Sequence, residues 1–247
     1  MESGLSALDW SAPWYAPWRD VGQAVAARIA RGLPAHEALN LSVGDAPVRF
    51  VPQQALPAEV AYERFIFEQR QCPTREGLHD LFNGLCWLHF PQSKRQLNAL
   101  QAAQIAAHGV GAVRGRVRDA ITVFDENGAL LDAPAPLWDA LLTRQWRRLF
   151  IDLRPLWAQA RLVVFGHALL EKLAGPRKDM TAHVWHAPAP LARLDEADAW
   201  LAAACTGERL AAKPFVPLPV LGVPGWWPAN EDAAFYEDDR VFRPARG

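Results

Sequence analysis

Apolar residues recur at helical spacing through much of this chain. Val21, Val25 and Ile29 share one helical face, and Gly32 after Arg31 fits a helix stop. Leu78, Leu81, Phe82, Leu85 and Leu88 form a clear core stripe, which Pro91 breaks after Phe90. Thr74 is the N-cap this pattern predicts. A second helix runs from about Gln92 to His108, where Gly109 fits its C-terminal cap. Two helices joined this tightly form a hairpin or a sharp elbow. Further helices are expected from Pro57 to Arg70, Pro136 to Phe150 and Pro155 to Ala174, and from a cap at Asp195 to about Gly207. The run Leu162 to Phe165 is apolar all round, which predicts a central helix there.

Strand signals are shorter. Val48 to Val51 reads as a strand ended by Pro52. Asp119 to Phe124 is β-branched and aromatic. Asp125-Glu126-Asn127-Gly128 then predicts a turn, and Ala129 to Leu131 a returning hairpin strand. Thr181 to His186 is a further strand. After Lys213 the prolines 214, 217, 219, 224 and 228 exclude regular structure, yet Phe215, Val220, Leu221, Trp226, Trp227, Phe235, Tyr236 and Phe242 are too apolar for a free tail. The expected architecture is therefore α+β: one mainly helical domain with a small antiparallel sheet. Residues 1–212 form the globular body, and residues 213–247 a Pro- and Trp-rich segment that wraps it.

Composition narrows the class. With 26 Lys and Arg against 27 Asp and Glu, no global field favours nucleic acid or anionic membrane. The three cysteines have no metal-like spacing, and their odd number speaks against a disulfide framework. There is no basic start followed by an apolar run, and no apolar run of the ~20 residues a span requires. A cytoplasmic protein is expected. Trp10, Trp14 and Trp18 recur every four residues, but Pro13 and Pro17 oppose a regular helix, so an N-terminal arm docking its aromatics is expected.

The chemistry concentrates in two stretches. On the first predicted helix, His79, Asp80 and Asn83 flank one edge of the core stripe. They can form a pocket wall, with His as acid or base, or a cap-and-pack network around the helix N-terminus. On the second, Lys94, Asn98 and Gln101 share one face. Such a row can read a carboxylate or phosphate, although a solvated face is the commoner outcome. Arg114, Arg116 and Arg118 alternate, as if to grip an anion from an extended segment or to pair with Asp119, Asp125 and Glu126. Gly109 to Gly115 lacks G-x-G-x-x-G spacing and follows a helix, so it is not read as a phosphate cradle. Residues 125–128 lack the alternating ligands of a calcium loop. His167 has Glu171 at i+4, a spacing that can ligate a metal given a third ligand, but a lone His on an apolar helix is usually a satisfied core residue.

Pro73-Thr74-Arg75, Leu78-His79-Asp80, Phe82-Asn83-Gly84-Leu85, Phe90-Pro91, Lys94 and Leu97-Asn98-Ala99-Leu100-Gln101 together resemble a bacterial family known as the domain of unknown function 3025 family. Arg118-Asp119 with Phe124 to Gly128, and Gly222-Val223-Pro224-Gly225-Trp226-Trp227-Pro228-Ala229-Asn230, resemble its second and third signatures. The resemblance implies a family and no mechanism.

From the residues themselves the leading expectation is recognition of a small polar or anionic ligand, with hydrolysis as the reaction if there is one. His79, Asp80 and Asp125 would be the acid–base groups. Lys94 and Arg118 would contact the anion, with Asn83, Asn98 and Asp119 completing the binding set, and a divalent metal is the cofactor such carboxylates could hold. The competing class is an interaction module in which tail tryptophans meet a protein partner.

Overall fold

The computed structural model describes residue 5 and residues 8–42, 46–109, 115–187, 191 and 193–245. The arm comes first. Pro13–Trp18 is a short 3-10 helix that buries Trp14, Tyr15 and Trp18. Tyr15 stacks on Phe82 and donates its hydroxyl to the Leu170 carbonyl at 2.8 Å. Helix α1 (Arg19–Ala30) follows, ending before Gly32, and then α2 (Ala35–Asn40).

Strand β1 (Arg49–Pro52) pairs in parallel with β2 (Gln71–Thr74), and α3 (Tyr62–Gln69) connects them. Two expectations fail here. The helix begins at Tyr62, well after Pro57. Thr74 caps nothing: it ends β2, and its hydroxyl is turned back to the Cys72 carbonyl. Helix α4 (Leu78–His89) is buried almost continuously from Asp80 to Trp87, so it is a central helix. An elbow at Phe90 leads straight into α5 (Pro91–His108), which ends at Gly109 in a left-handed conformation. The N-terminus of α5 is capped from far away. Asp198, on α9 (Leu194–Ala204), accepts the Gln92 and Ser93 N–H groups and the Ser93 hydroxyl. Asp195 lies inside the first turn of α9, paired with Arg193, and is not its cap.

The hairpin does not form. Residues 119–127 belong to α6 (Arg116–Asn127), which runs directly into β3 (Gly128–Asp132). Val117, Ala120, Ile121 and Phe124 face the core at helical spacing, and that pattern overrides the strand propensity of Ile121, Thr122 and Val123. Helix α7 stops at Leu142 (Ala135–Leu142), well short of Phe150. A strand, β4 (Arg161–Val164), replaces the expected central helix over the apolar run, and of that helix a 3-10 turn at Arg154–Gln159 and α8 (His167–Lys172) remain on either side. A short all-apolar run is equally compatible with a buried strand, and nothing in its periodicity separates the two.

The main sheet has the order β4-β3-β5-β6, with β5 at Thr181–His186 and β6 at Phe215–Pro219. It is mixed, not purely antiparallel: β3 pairs in parallel with β5 and antiparallel with β4, and β5 pairs antiparallel with β6. Strand β6 corrects the reading that the tail prolines exclude regular structure. Pro217 and Pro219 are accommodated because β6 is an edge strand. Short helix α10 (Gly207–Ala211) precedes it. The fold class holds as expected, a mainly helical α+β domain. The core centres on Phe90, Phe124, Phe165, Trp185 and Phe215, whose rings meet where α4, α6 and the sheet converge. Among the described residues no helix is long and apolar enough to cross a membrane.

Candidate functional site

A cleft of about 470 Å³ opens between α3, α4, α5, α6 and α8. Helix α3 supplies Tyr62 and Glu63. Helix α4 supplies His79, Asp80, Asn83 and Trp87; α5 supplies Lys94, Asn98 and Gln101; α6 supplies Arg118 and Asp125; and α8 supplies His167. Most of the residues singled out in the sequence therefore do share one concavity. Asp119 does not. One residue beyond Arg118, it points away from the cleft and pairs with Lys213 on the surface at 2.7 Å. The row Lys94, Asn98 and Gln101 is not a solvated face but the buried floor of the cleft. Arg116 and Arg118 sit on a helix, not on an extended grip, and residues 110–114, including Arg114, lie outside the described residues.

The centre of the cleft is an ion pair. Lys94 is 5% exposed, and its ammonium donates to Asp125 Oδ1 at 2.5 Å and to Asn83 Oδ1 at 3.0 Å. The elbow at Phe90 makes this contact, because it folds α5 back so that residues 83 and 94 meet. Burial opposes both charges, but each is overridden by its partner. The pKa of Lys94 is raised, chiefly by Asp125, and that of Asp125 is lowered, by Lys94 and then His167. Asn83 relays the network onward, donating to the Tyr62 hydroxyl, which contacts Cys72 Sγ. Burial pushes the Cys72 thiol up to about 12, which leaves it inert.

A row of imidazoles leads outward from Asp125. His167 Nδ1 lies 3.6 Å from Asp125 Oδ2, beyond hydrogen-bond reach, and this buried nitrogen has no partner. His167 Nε2 is 3.2 Å from His79 Nε2, and His79 Nδ1 is 2.9 Å from Glu171 Oε2. Burial depresses the pKa of His167 to about 4, so its ring is neutral at physiological pH. Asp80 is committed elsewhere, accepting two bonds from the Arg75 guanidinium and one from the Arg75 backbone.

The far wall carries Glu63 and Arg118. Glu63 accepts from the Asn98 amide at 2.8 Å, and its pKa is raised by burial and then by Asp125. Arg118 makes its hydrogen bond to Gln101 through Nε alone, at 3.4 Å. It is, among the described residues, the guanidinium with donors to spare at this cleft, since Arg75 is tied to Asp80. Among the described residues no group of three His, Cys, Asp or Glu side chains gathers with metal-binding geometry. The tail tryptophans are half-buried: Trp226 packs on Trp14 with ring centroids 6.1 Å apart, and Trp227 packs on the core.

Sequence reasoning missed Tyr62 and Glu63, whose partners lie 21 and 35 residues away. It also ranked His167 as core packing. The i+4 spacing to Glu171 was the available signal, but each side chain binds His79 instead of sharing an ion.

A family model described as Protein of unknown function (DUF3025) matches residues 48–246. No curated protein and no solved structure matches the chain.

Proposed function

We propose, for a chain that belongs to the DUF3025 family, that its cleft binds a small polar ligand carrying one anionic group and hydrolyses it by acid–base chemistry. One observation carries the reading: a lysine-paired carboxylate, Asp125, lines a concave cleft and is backed by a buried imidazole nitrogen with no partner of its own. Buried polar atoms without partners are uncommon, and they concentrate where a group is kept free for chemistry.

Arg118 is the anion contact, because its terminal nitrogens are not taken by other described side chains. Asn98 and Gln101 orient the ligand from the same wall. Lys94 serves differently from the sequence expectation. Its charge is spent on Asp125, which it holds ionised and in place. Asp125 takes a proton from water as the water oxygen bonds to the electrophilic centre of the ligand. His167 Nδ1 receives that proton, and the same groups return it to the leaving group as the scissile bond breaks. The cleft size suits a molecule of metabolite dimensions.

The test is a thermal-shift screen of small carboxylates, phosphomonoesters and their uncharged analogues. Binding to the folded state raises the melting temperature by mass action. An anionic compound should stabilise the wild-type protein, lose that effect in Arg118→Gln, and keep it without being turned over in Asp125→Asn. A library without any stabilising anion, or hits indifferent to Arg118→Gln, would refute the assignment.

A further inference from the structure

Behind the cleft lies a second, more open depression, lined by Arg75, Glu76, Gly77, His79, Asp80 and Glu171. Arg75, His79 and Asp80 belong to both walls, so they form the partition between the two spaces. Asp125 and His167 face the cleft only, and Glu171 faces the outer depression only. A continuous row of Asp125, His167, His79 and Glu171 thus crosses the partition, with steps of 3.6, 3.2 and 2.9 Å.

We propose that the His79–Glu171 pair is a proton store for the cleft, loaded and unloaded through His167. The assignment rests on the cleft being a reaction site, and it changes the part expected of His79 from direct acid or base to reservoir. The protons follow from the contacts. Glu171 is an acceptor, so the hydrogen between it and His79 belongs to His79 Nδ1. In the neutral ring His79 Nε2 is then an acceptor, and the hydrogen of the 3.2 Å contact belongs to His167 Nε2. That leaves His167 Nδ1 bare beside Asp125, and this is the nitrogen found without a partner.

One proton entering from Asp125 then has a defined course. It bonds to His167 Nδ1. His167 Nε2–H passes its own proton to His79 Nε2. His79 becomes an imidazolium that donates to Glu171 and to His167, and His167 is neutral again with its tautomer reversed, now donating towards Asp125. The reverse sequence delivers the proton back. Charge is held on the partition, where His79 meets Glu171, while His167 stays uncharged in its buried position. The charged groups around this row are few: Asp125 from α6 and Lys94 from α5 face His167, Glu171 from α8 faces His79, and the mutually neutralised Arg75 and Asp80 flank it.

Nitrogen NMR of the imidazole rings in the intact, ligand-free protein tests this, from about pH 8 down to about pH 4. A store requires that His167 change from the Nε2–H to the Nδ1–H form in the same step in which His79 gains its second proton. In Glu171→Gln, a change at a partly exposed position that removes the carboxylate partner of His79 Nδ1, that coupled step should be altered, and Glu171→Asp should restore it. A His167 that keeps one tautomer while His79 titrates would make the row a structural brace and overturn the proposal, as would a step unmoved by Glu171→Gln. Ligand binding is not part of this measurement. A coupled switch with an empty ligand screen would therefore sink the hydrolytic reading and leave a proton relay without that reaction to serve, whereas bound ligands without the switch would sink the store alone.

Discussion

His167 carries both the chemistry and a cost. Burial holds its ring neutral, with the pKa depressed from 6.5 to about 4. The unfolded chain binds a proton near its ordinary pKa, whereas the folded protein resists until lower pH. Its contribution to stability is thus complete above about pH 6.5 and is lost as pH falls towards 4, by an amount on the order of 3 kcal/mol. We expect urea unfolding to show this decline in the wild-type protein and a shallower one in His167→Gln. Parallel curves would show that the ring is not responsible. The same residue explains a difference from sequence reasoning. A lone His on an apolar stretch reads as core, and by burial His167 is core. What distinguishes it is that Asp125 and His79 flank it from two other helices, and neither contact has a trace in local spacing.

At the scale of elements, the site depends on how closely α8 approaches the end of α6. Gly166, just before α8, leaves no room for a side chain: a Cβ there would lie 2.5 Å from the Glu126 carbonyl oxygen and 2.6 Å from Asn127 backbone atoms. Those neighbours are backbone and cannot rotate away, so Gly166→Ala must push α8 outward and carry His167 off Asp125. We expect destabilisation of about 1–3 kcal/mol, measured by urea unfolding, together with loss of the coupled tautomer change in His167. Wild-type stability in this variant would mean that the two helices have slack and that the spacing of 3.6 Å is not enforced. The helices themselves were legible. The stripe on α4 and the break at Pro91 placed α4 and α5 correctly, because an amphipathic period and a proline are local signals. Helix α6 was misread as a hairpin since its β-branched run and its Asp-Glu-Asn-Gly end carry turn and strand preferences that only its packing overrides.

For the whole molecule, the segment after Lys213 is the informative part. It adds β6 to the sheet, and its buried Asn230 donates to the Leu221 and Val223 carbonyls. Trp146 in turn donates to the Arg243 carbonyl, and Phe150 stacks on Tyr236. Truncation after Lys213 should therefore remove the cooperative thermal transition or lower its midpoint strongly, since each large side chain it strips from the core is worth roughly 1.5–3 kcal/mol. Calorimetry of the truncated chain decides the matter. An unchanged transition would show that the body is self-sufficient and would free the tail for a partner.

The sequence by itself determined the fold class, the tight α4–α5 junction at Pro91 and many, though not all, of the polar residues that line the cleft. Those rest on short-range physics: helical period, proline geometry and the cost of burying polar groups without partners. Only the tertiary structure decided that 162–164 is a strand, that Asp119 faces outward, that Asp80 is spent on Arg75, and that Lys94 is neutralised by Asp125. Each of these turns on a direction or a partner. A shift of one residue along a helix turns a side chain by about 100°, which separates Arg118 in the cleft from Asp119 on the surface. A partner 31 residues away for Lys94, or 92 for His79, is set by how helices pack, and packing is a property of the assembled chain.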